Sequence, residues 1–173
     1  EGIKQGYEVY LLTKNTGGFE ALKKLGIYTI EVPFDRKKGM WLNDFKVFLK
    51  LCKLYNLHKP NIIHHVTLKP IIYGTLANVF FSRRSKIINA VSGLGYAFSE
   101  NNRSFLKSII LLFLKIVFVL NRKNIRFIFQ NSSDKKLFSK NLINSNSSSF
   151  IIKGSGVDEN IFIETIPHTT QFF

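Results

Sequence analysis

The sequence predicts an α/β fold, a Rossmann-like doubly wound parallel sheet in a single domain. Short apolar runs of β type alternate with segments whose apolar residues recur at spacings of three and four. Glycines and prolines separate the two patterns. Hydrophobic residues make up 45% of the 173-residue chain, which is enough for a packed core. Strands that alternate with helices are typical of parallel sheets with helices on both faces.

The first third of the chain predicts two strands and two helices. The predicted elements are a helix end over 1–5, strands over 6–13 and 27–32, and helices over 17–25 and 41–57. Gly6 suits the end of the first helix, and Lys59-Pro60 ends the last. A doubly wound sheet normally begins with a further strand and helix, and the chain has no starting Met. We therefore expect a fragment of a longer protein.

The stretch 61–96 organises the fold, because it predicts a βαβ unit. A strand over 61–66 is followed by a polar loop, a helix over 71–81 with Pro70 in its first turn, and a strand over 87–91. The two strands of such a unit are parallel and joined by a right-handed crossover. Ligands bind beyond the carboxyl ends of parallel strands. The loops 64–69 and 92–98 should therefore face one crevice.

The last third continues the alternation. The predicted elements are a long apolar helix over 104–120, a strand over 125–130, a helix through Lys140 with Ser132 as its N-cap, and a strand over 150–153. The apolar segment 105–120 is shorter than a spanning helix needs, and two lysines interrupt it, so it is not transmembrane. The amino terminus has no apolar segment of a secretory signal.

Three side chains of the central unit are candidates for chemistry. His64 and His65 are adjacent on a strand, so they point to opposite faces and cannot share one metal ion in the usual way. One should pack against a helix, and the other could act at the crevice. Lys69 lies at the start of a helix, where backbone N–H groups favour an anion, so a phosphate contact and a solvated surface lysine are both open.

The second loop offers Gly93 and Gly95 after the strand. A glycine pair lets the backbone approach a ligand, but plain turn formation explains it equally well. There is no dinucleotide-binding GxGxxG, no Walker loop and no paired-cysteine metal site. The single cysteine, Cys52, excludes an internal disulfide and is expected to be a buried bystander.

The net charge of +14 indicates an anionic partner or a compositional bias. Nucleic acid, an anionic membrane surface and phosphate-bearing small molecules are all open. On the long helix, four basic residues fall within an arc of roughly 120°: Arg103, Lys107, Lys115 and Arg122. The helix is either buried with one exposed basic stripe, or lies in a membrane interface with these side chains at lipid phosphates.

Four segments in order carry a resemblance to a known family. They are HHVTLKPIIYGTLAN, INAVSGLGYAF, IFQNSSDKKLF and IIKGSGVDENIF. Together they resemble the amino-terminal domain of family 4 glycosyltransferases, and most closely the bacterial subgroup that adds sugars to polyprenyl-diphosphate-linked acceptors. The resemblance covers roughly residues 2–162. Many members carry a functional histidine where this chain has Ser92, so the catalytic residues stay unknown.

The resemblance implies one half of a two-domain GT-B enzyme that retains anomeric configuration and needs no metal or other cofactor. Residues 1–158 would form the acceptor-binding domain without its first strand and most of its first helix, residues 159–173 a linker or tail, and the donor domain would be absent. The partners implied are a nucleotide sugar, a polyprenyl-diphosphate-linked glycan and an anionic membrane surface, with no nucleic acid. The acceptor-side candidates are His64, His65, Lys69, Ser92, Gly93 and Gly95.

The resemblance further implies a cytoplasmic protein, peripheral on the inner face of the membrane. Because donor binding would rest mainly on the absent domain, residues 1–173 alone are expected to be inactive. Two other functions stay open. The charge allows a non-enzymatic nucleic-acid-binding module, although no stacking platform is evident. A sugar-nucleotide epimerase shares the two-domain architecture but would act on a soluble substrate.

Overall fold

A computed structural model describes residues 1–34, 41–81, 85–92, 112, 115–120, 123–141 and 149–154. A 3-10 turn, Ile3–Gln5, precedes the first strand. The strands are β1 (Tyr10–Thr13), β2 (Tyr28–Glu31), β3 (Ile62–Val66), β4 (Lys86–Val91), β5 (Ile125–Phe129) and β6 (Ser149–Ile151). The helices are α1 (Phe19–Lys24), α2 (Trp41–His58), α3 (Leu68–Phe81) and α4 (Ser132–Asn141), and residues 115–120 are also helical.

Every strand pairing within the described residues is parallel, so the predicted α/β fold class is confirmed. β1 pairs with β2, and a separate four-stranded sheet has the order β3-β4-β5-β6. Each parallel pair is joined through a crossover that contains helix, as the alternating sequence pattern requires. Between β1 and β3 there is no pairing in the part of the chain that the structure describes.

Helix α2 packs against strands of both sheets. Its buried side chains share one core cluster with Val32 just after β2, Ile63 of β3 and Ala77 of α3, and Leu12 of β1 and Ile30 of β2 pack against this cluster. The α2 members are Val47, Leu51, Cys52 and Tyr55. The free thiol of Cys52 is buried, as expected. The apolar spacing along α2 therefore lets one face of this helix contribute to a core cluster shared with residues of both sheets.

A second core cluster lies under β4 and β5. Phe127 on β5 contacts Phe118 of the helical segment 115–120 edge to face, with ring centroids 5.3 Å apart, and its ring also lies 5.3 Å from Phe138 on α4. All three rings are buried, as are Ile71 of α3 and Ile87 of β4. Aromatic pairs in these arrangements stabilise beyond their buried area. The other face of this sheet exposes Ile62, Val66 and Phe150.

Local signals explain most element boundaries, with two differences from expectation. The 3-10 turn ends at Gly6, whose φ of 81° is left-handed, in place of a longer helix end. Asn131, and not Ser132, caps α4, because its Oδ1 accepts the Asp134 N–H at 2.7 Å. Asn131 also donates to the Asp134 carboxylate at 3.0 Å, which closes a reciprocal cap. The predicted cap was one residue too late.

Candidate functional site

The loops after β3 and β4 leave the sheet at the same edge. The strands run parallel with Val66 opposite Ala90, and the Thr67 N–H donates to the Ala90 carbonyl at 3.2 Å. The two parallel strands therefore end at one edge, as predicted, while residues 93–98 of the second loop lie outside the described residues. Ser92 follows β4 at this edge and is half-buried, whereas Gly93 and Gly95 lie outside the described residues.

Thr67 holds an uncommon backbone conformation at this edge. Its φ is +73°, in the left-handed region that a β-branched residue rarely adopts. Its carbonyl accepts the Ile71 N–H at 3.2 Å, so the strained residue turns the chain directly from β3 into α3. Such strain is typically found at functional sites, where the surrounding structure holds it in place. Sequence patterns gave no sign of it.

Lys69 is paired with a carboxylate at the same edge. Its Nζ lies 3.0 Å from Asp44 Oδ1, and both side chains are about a third exposed or less. Tyr73 donates its hydroxyl to the same carboxylate, and burial, followed by the Asp44 hydrogen bond and charge, raises the pKa of Tyr73 to about 12. Sequence reasoning missed Asp44, although an acidic residue in the first turn of α2 was the available signal.

This pairing defines what Lys69 can do. An ammonium group bound to one carboxylate oxygen has two further N–H donors, so it can hold a phosphate oxygen while Asp44 fixes its position. The arrangement places a cation, held by a neighbouring helix, at the start of α3. A lysine free in solvent would lose more side-chain entropy on binding the same anion.

His65 belongs to the core and not to the crevice. Its side chain is 4% exposed, and its Nε2 lies 2.8 Å from the Tyr55 hydroxyl while its Nδ1 lies 2.8 Å from Asn89 Oδ1. Asn89 Nδ2 donates to Thr75 Oγ1 at 3.3 Å. Because the amide oxygen only accepts, Nδ1 carries the proton and Nε2 accepts from Tyr55. This network links α2, β3, β4 and α3.

Burial keeps the His65 imidazole neutral. Desolvation lowers the pKa of His65 to about 4, against an opposing contribution from the Asn89 hydrogen bond. The same burial raises the pKa of the Tyr55 hydroxyl far above its ordinary value. A ring with both nitrogens occupied and no exposure to the crevice cannot reach an acceptor. The prediction that one of the two histidines packs against a helix is therefore confirmed for His65.

His64 points to the opposite face of β3, as predicted. It is exposed and lies in the wall of a 660 Å³ groove between β3 and β1, together with Ile62 of its own strand and Leu12 of β1. It therefore lies along the side of the sheet, whereas Lys69 and Ser92 lie at its carboxyl edge.

The basic stripe falls mostly outside the described residues, including Arg103, Lys107 and Arg122. Lys115 is exposed on the helical segment 115–120. Four large apolar side chains of this region are also exposed and fall on one side of a helix: Leu112, Ile116, Val119 and Leu120. Within the described residues, no helix is both long and apolar enough to cross a bilayer.

The described residues contain no group of three or more His, Cys, Asp or Glu side chains that could hold a metal ion.

The amino-acid sequence is similar to that of a known protein family. A family described as glycosyl transferase 4-like matches residues 1–132, which is more than half of the chain. No curated protein matches the chain.

Proposed function

Because the chain belongs to the glycosyl transferase 4-like family, we propose that residues 1–173 bind the acceptor for an enzyme that transfers a sugar from a nucleotide-sugar donor. The acceptor we propose is a glycan linked to a polyprenyl diphosphate, as in cell-surface polysaccharide synthesis, and the reaction retains anomeric configuration. Donor binding would rest mainly on a further domain of the whole enzyme. The family assignment implies a donor and an acceptor in general; the identity of the acceptor is our proposal.

The shared edge of β3 and β4 is the observation that carries this proposal. Two polar loops leave neighbouring parallel strands there, and Thr67 is bound to Ala90 across the strand pair. Open parallel sheets bind ligands at this edge. Lys69, fixed by Asp44 at 3.0 Å and located in the first turn of α3, supplies the positive charge that a diphosphate requires.

The contribution of these residues to the reaction would be positioning. Thr67 and Ser92 would orient the acceptor glycan, and Lys69 would hold its diphosphate, so that the attacking hydroxyl meets the donor sugar. Stabilisation of the departing nucleotide diphosphate would come from the donor side. Of the predicted acceptor-side residues, His65 would act only through the core beneath the loops, because both of its ring nitrogens are occupied.

We further propose that the protein works at the inner face of a membrane, as a peripheral protein. The net charge of +14 would attract it to anionic lipid, with each basic residue near the surface contributing about 1 kcal/mol. The exposed apolar side chains Ile116 and Val119 next to Lys115 would enter the interface. Lys115 and the three other basic residues of the stripe would meet lipid phosphates.

A vesicle-binding experiment tests this function. The purified chain is sedimented with neutral vesicles, with vesicles that contain phosphatidylglycerol, and with neutral vesicles that contain a polyprenyl-diphosphate-linked disaccharide. We expect saturable binding to the last, reduced at least tenfold by Lys69→Gln together with Ser92→Ala. Lys86→Gln, on the opposite edge, is the matched control and should bind normally.

Other outcomes would contradict the proposal. Equal binding to the phosphatidylglycerol vesicles and to the vesicles with the polyprenyl-diphosphate-linked disaccharide would show that the chain does not recognise the acceptor. Retention on DNA that exceeds binding to the glycolipid and falls steeply with salt would favour the nucleic-acid-binding alternative. Conversion of a soluble nucleotide sugar to its epimer, without vesicle binding, would favour the epimerase.

A further inference from the structure

Four buried polar side chains form one hydrogen-bonded network beneath the proposed acceptor site. Tyr55 of α2, His65 of β3, Asn89 of β4 and Thr75 of α3 are each at most 6% exposed. The three hydrogen bonds that join them are 2.8, 2.8 and 3.3 Å long, and every polar side-chain atom of the four has a partner within the network. A fully satisfied buried network fixes one arrangement of the elements that carry it.

The polar network lies close to the point where the two strands end. His65 is opposite Asn89 in the parallel register, one pair before the end of β3. Just after that end, the Thr67 N–H donates to the Ala90 carbonyl, and the backbone turns into α3. The bond between His65 and Asn89 is therefore two residues from Thr67 along β3 and three residues from Ser92 along β4.

Asn89 is the junction of the polar network, because its side chain accepts and donates at once. Its Oδ1 accepts the His65 Nδ1–H, and its Nδ2 donates to Thr75 Oγ1. A carboxylate at this position could only accept, and an apolar side chain could do neither. The amide therefore ties β4 to β3 on one side and to α3 on the other.

Helix α3 carries this constraint to the proposed site. Thr75 is six residues from Lys69, which is about 9 Å along the helix axis. Gly74, next to Thr75, lets the helix lie directly against the His65 ring, since a Cβ there would overlap the imidazole. A shift of α3 relative to β4 would therefore move Lys69 relative to Ser92.

We infer that Asn89 is a positioning residue for acceptor binding. Through His65 and Thr75 it holds the Thr67 turn and the start of α3 in the arrangement that the acceptor requires. This inference rests on the proposed function and adds to it, since Asn89 is buried and does not contact the acceptor. Apolar side chains in place of the network would leave the position of α3 against β4 to packing, which is not directional.

A pair of substitutions at Thr75 tests the inference. Thr75→Val removes the hydroxyl to which Asn89 donates with little change in shape, whereas Thr75→Ser keeps a hydroxyl. Amide hydrogen exchange of Thr67 is measured first, without acceptor. We expect this amide to exchange roughly tenfold faster in Thr75→Val, and within about twofold of the unsubstituted chain in Thr75→Ser.

Vesicle binding is measured next on the same variants. The vesicles are neutral and contain a polyprenyl-diphosphate-linked disaccharide. Because the Thr67 turn and Lys69 would no longer be held in place, binding should fall by roughly fivefold or more in Thr75→Val, and Thr75→Ser should restore it.

Val79→Ala is the matched control, because Val79 is a buried apolar residue of α3 that is not part of the polar network. It should lower thermal stability, yet change Thr67 exchange and vesicle binding much less than Thr75→Val does. Tyr55→Phe opens the other end of the network and should act like Thr75→Val. It gives a second test if Thr75→Val does not fold.

Four outcomes would overturn the inference. The Thr67 amide could exchange at the same rate in Thr75→Val as in the unsubstituted chain, Val79→Ala could have an equal effect, Thr75→Ser could fail to restore the slow exchange, or vesicle binding could stay normal although the amide exchanges faster. Absence of vesicle binding by the unsubstituted chain would instead contradict the proposed function, while Thr67 exchange would still decide whether the network holds the turn.

Discussion

Gly74 is the residue of α3 that lies directly against the His65 ring. A Cβ added at Gly74 would overlap Nε2, Cδ2 and Cε1 of the imidazole, so the ring or the helix would have to move. The backbone of Gly74 is ordinary helix, and its role is therefore close approach and not conformational freedom. The contact keeps α3 against β3 and leaves room for the Tyr55–His65 hydrogen bond.

Gly74→Ala should lower the free energy of unfolding by about 2–3 kcal/mol, because overpacking combines with loss of a buried hydrogen bond. Urea denaturation measures the change. Gly18→Ala is the matched control, since a Cβ there meets nothing within 4 Å. Similar stability of the two variants would mean that the imidazole does not occupy this position.

Because His65 is buried in its neutral form, we expect the free energy of unfolding to fall at acid pH. Burial lowers the pKa of His65 to about 4, from 6.5. The unfolded chain therefore binds a proton below about pH 6.5, and the folded chain does not until about pH 4. The contribution of neutral His65 to the free energy of unfolding is fully present above pH 6.5. It is lost as the pH falls, and the free energy of unfolding is lower by about 3 kcal/mol at pH 4.

Urea denaturation between pH 4 and pH 7 measures this slope, and NMR of the His65 ring gives its pKa directly. His65→Gln should flatten the slope, whereas His64→Gln, on the outward face of β3, should retain it. An NMR titration of His65 near 6.5 in the folded protein would show that the ring is accessible to water, contrary to the structure.

At the scale of elements, Asp44 joins the first turn of α2 to the first turn of α3. Its carboxylate accepts from Lys69 at 3.0 Å and also holds the Tyr73 hydroxyl. Asp44→Asn should lower the pKa of Tyr73 from about 12 toward 10, leaving only the part due to burial. NMR of tyrosine labelled with carbon-13 measures this shift.

Glu20→Gln is the control for Asp44→Asn, because Glu20 pairs with Lys23 on the exposed surface of α1. It should leave the titration of Tyr73 unchanged. If Asp44→Asn also leaves it unchanged, the two helices are not joined through this carboxylate, and the fixed position of Lys69 loses its support.

Thr67 is the hinge between β3 and α3, and its left-handed backbone should cost stability. Thr67→Gly should raise the free energy of unfolding by up to about 1 kcal/mol, since relief of strain exceeds the added entropy of glycine. Thr67→Val keeps a β-branched residue in the strained conformation and should not raise the free energy of unfolding. Thermal denaturation compares them, and a less stable Thr67→Gly would show that the conformation is unstrained.

Within the described residues, the sequence predicted most strands and helices to within a few residues because their signals are local; most of the helix predicted over 104–120 lies outside those residues. The apolar runs of β3, β4 and β5 and the three- and four-residue spacing along α2 follow directly from burial on one face. Caps were harder. Asn131 and Ser132 are both good caps by type, and only the hydrogen bond to Asp134 distinguishes them.

At the scale of the whole molecule, contacts between residues that are distant in the chain could not be predicted from the sequence. Lys69 is 25 residues from Asp44, and His65 is 24 residues from Asn89. No spacing rule connects such pairs, whereas parallel pairing of β3 with β4 was predictable from the crossover and brought Lys69 and Ser92 to one edge.

We propose that the carboxyl edge of β3 and β4 holds a polyprenyl-diphosphate-linked glycan. The direct measurement is photo-crosslinking with a polyprenyl diphosphate carrying a photoreactive disaccharide, followed by mass spectrometry of the labelled peptides. We predict saturable labelling within residues 67–69 and at Ser92, suppressed by excess unlabelled glycolipid. Labelling confined to the groove between β1 and β3, or spread without saturation over the surface, would contradict it.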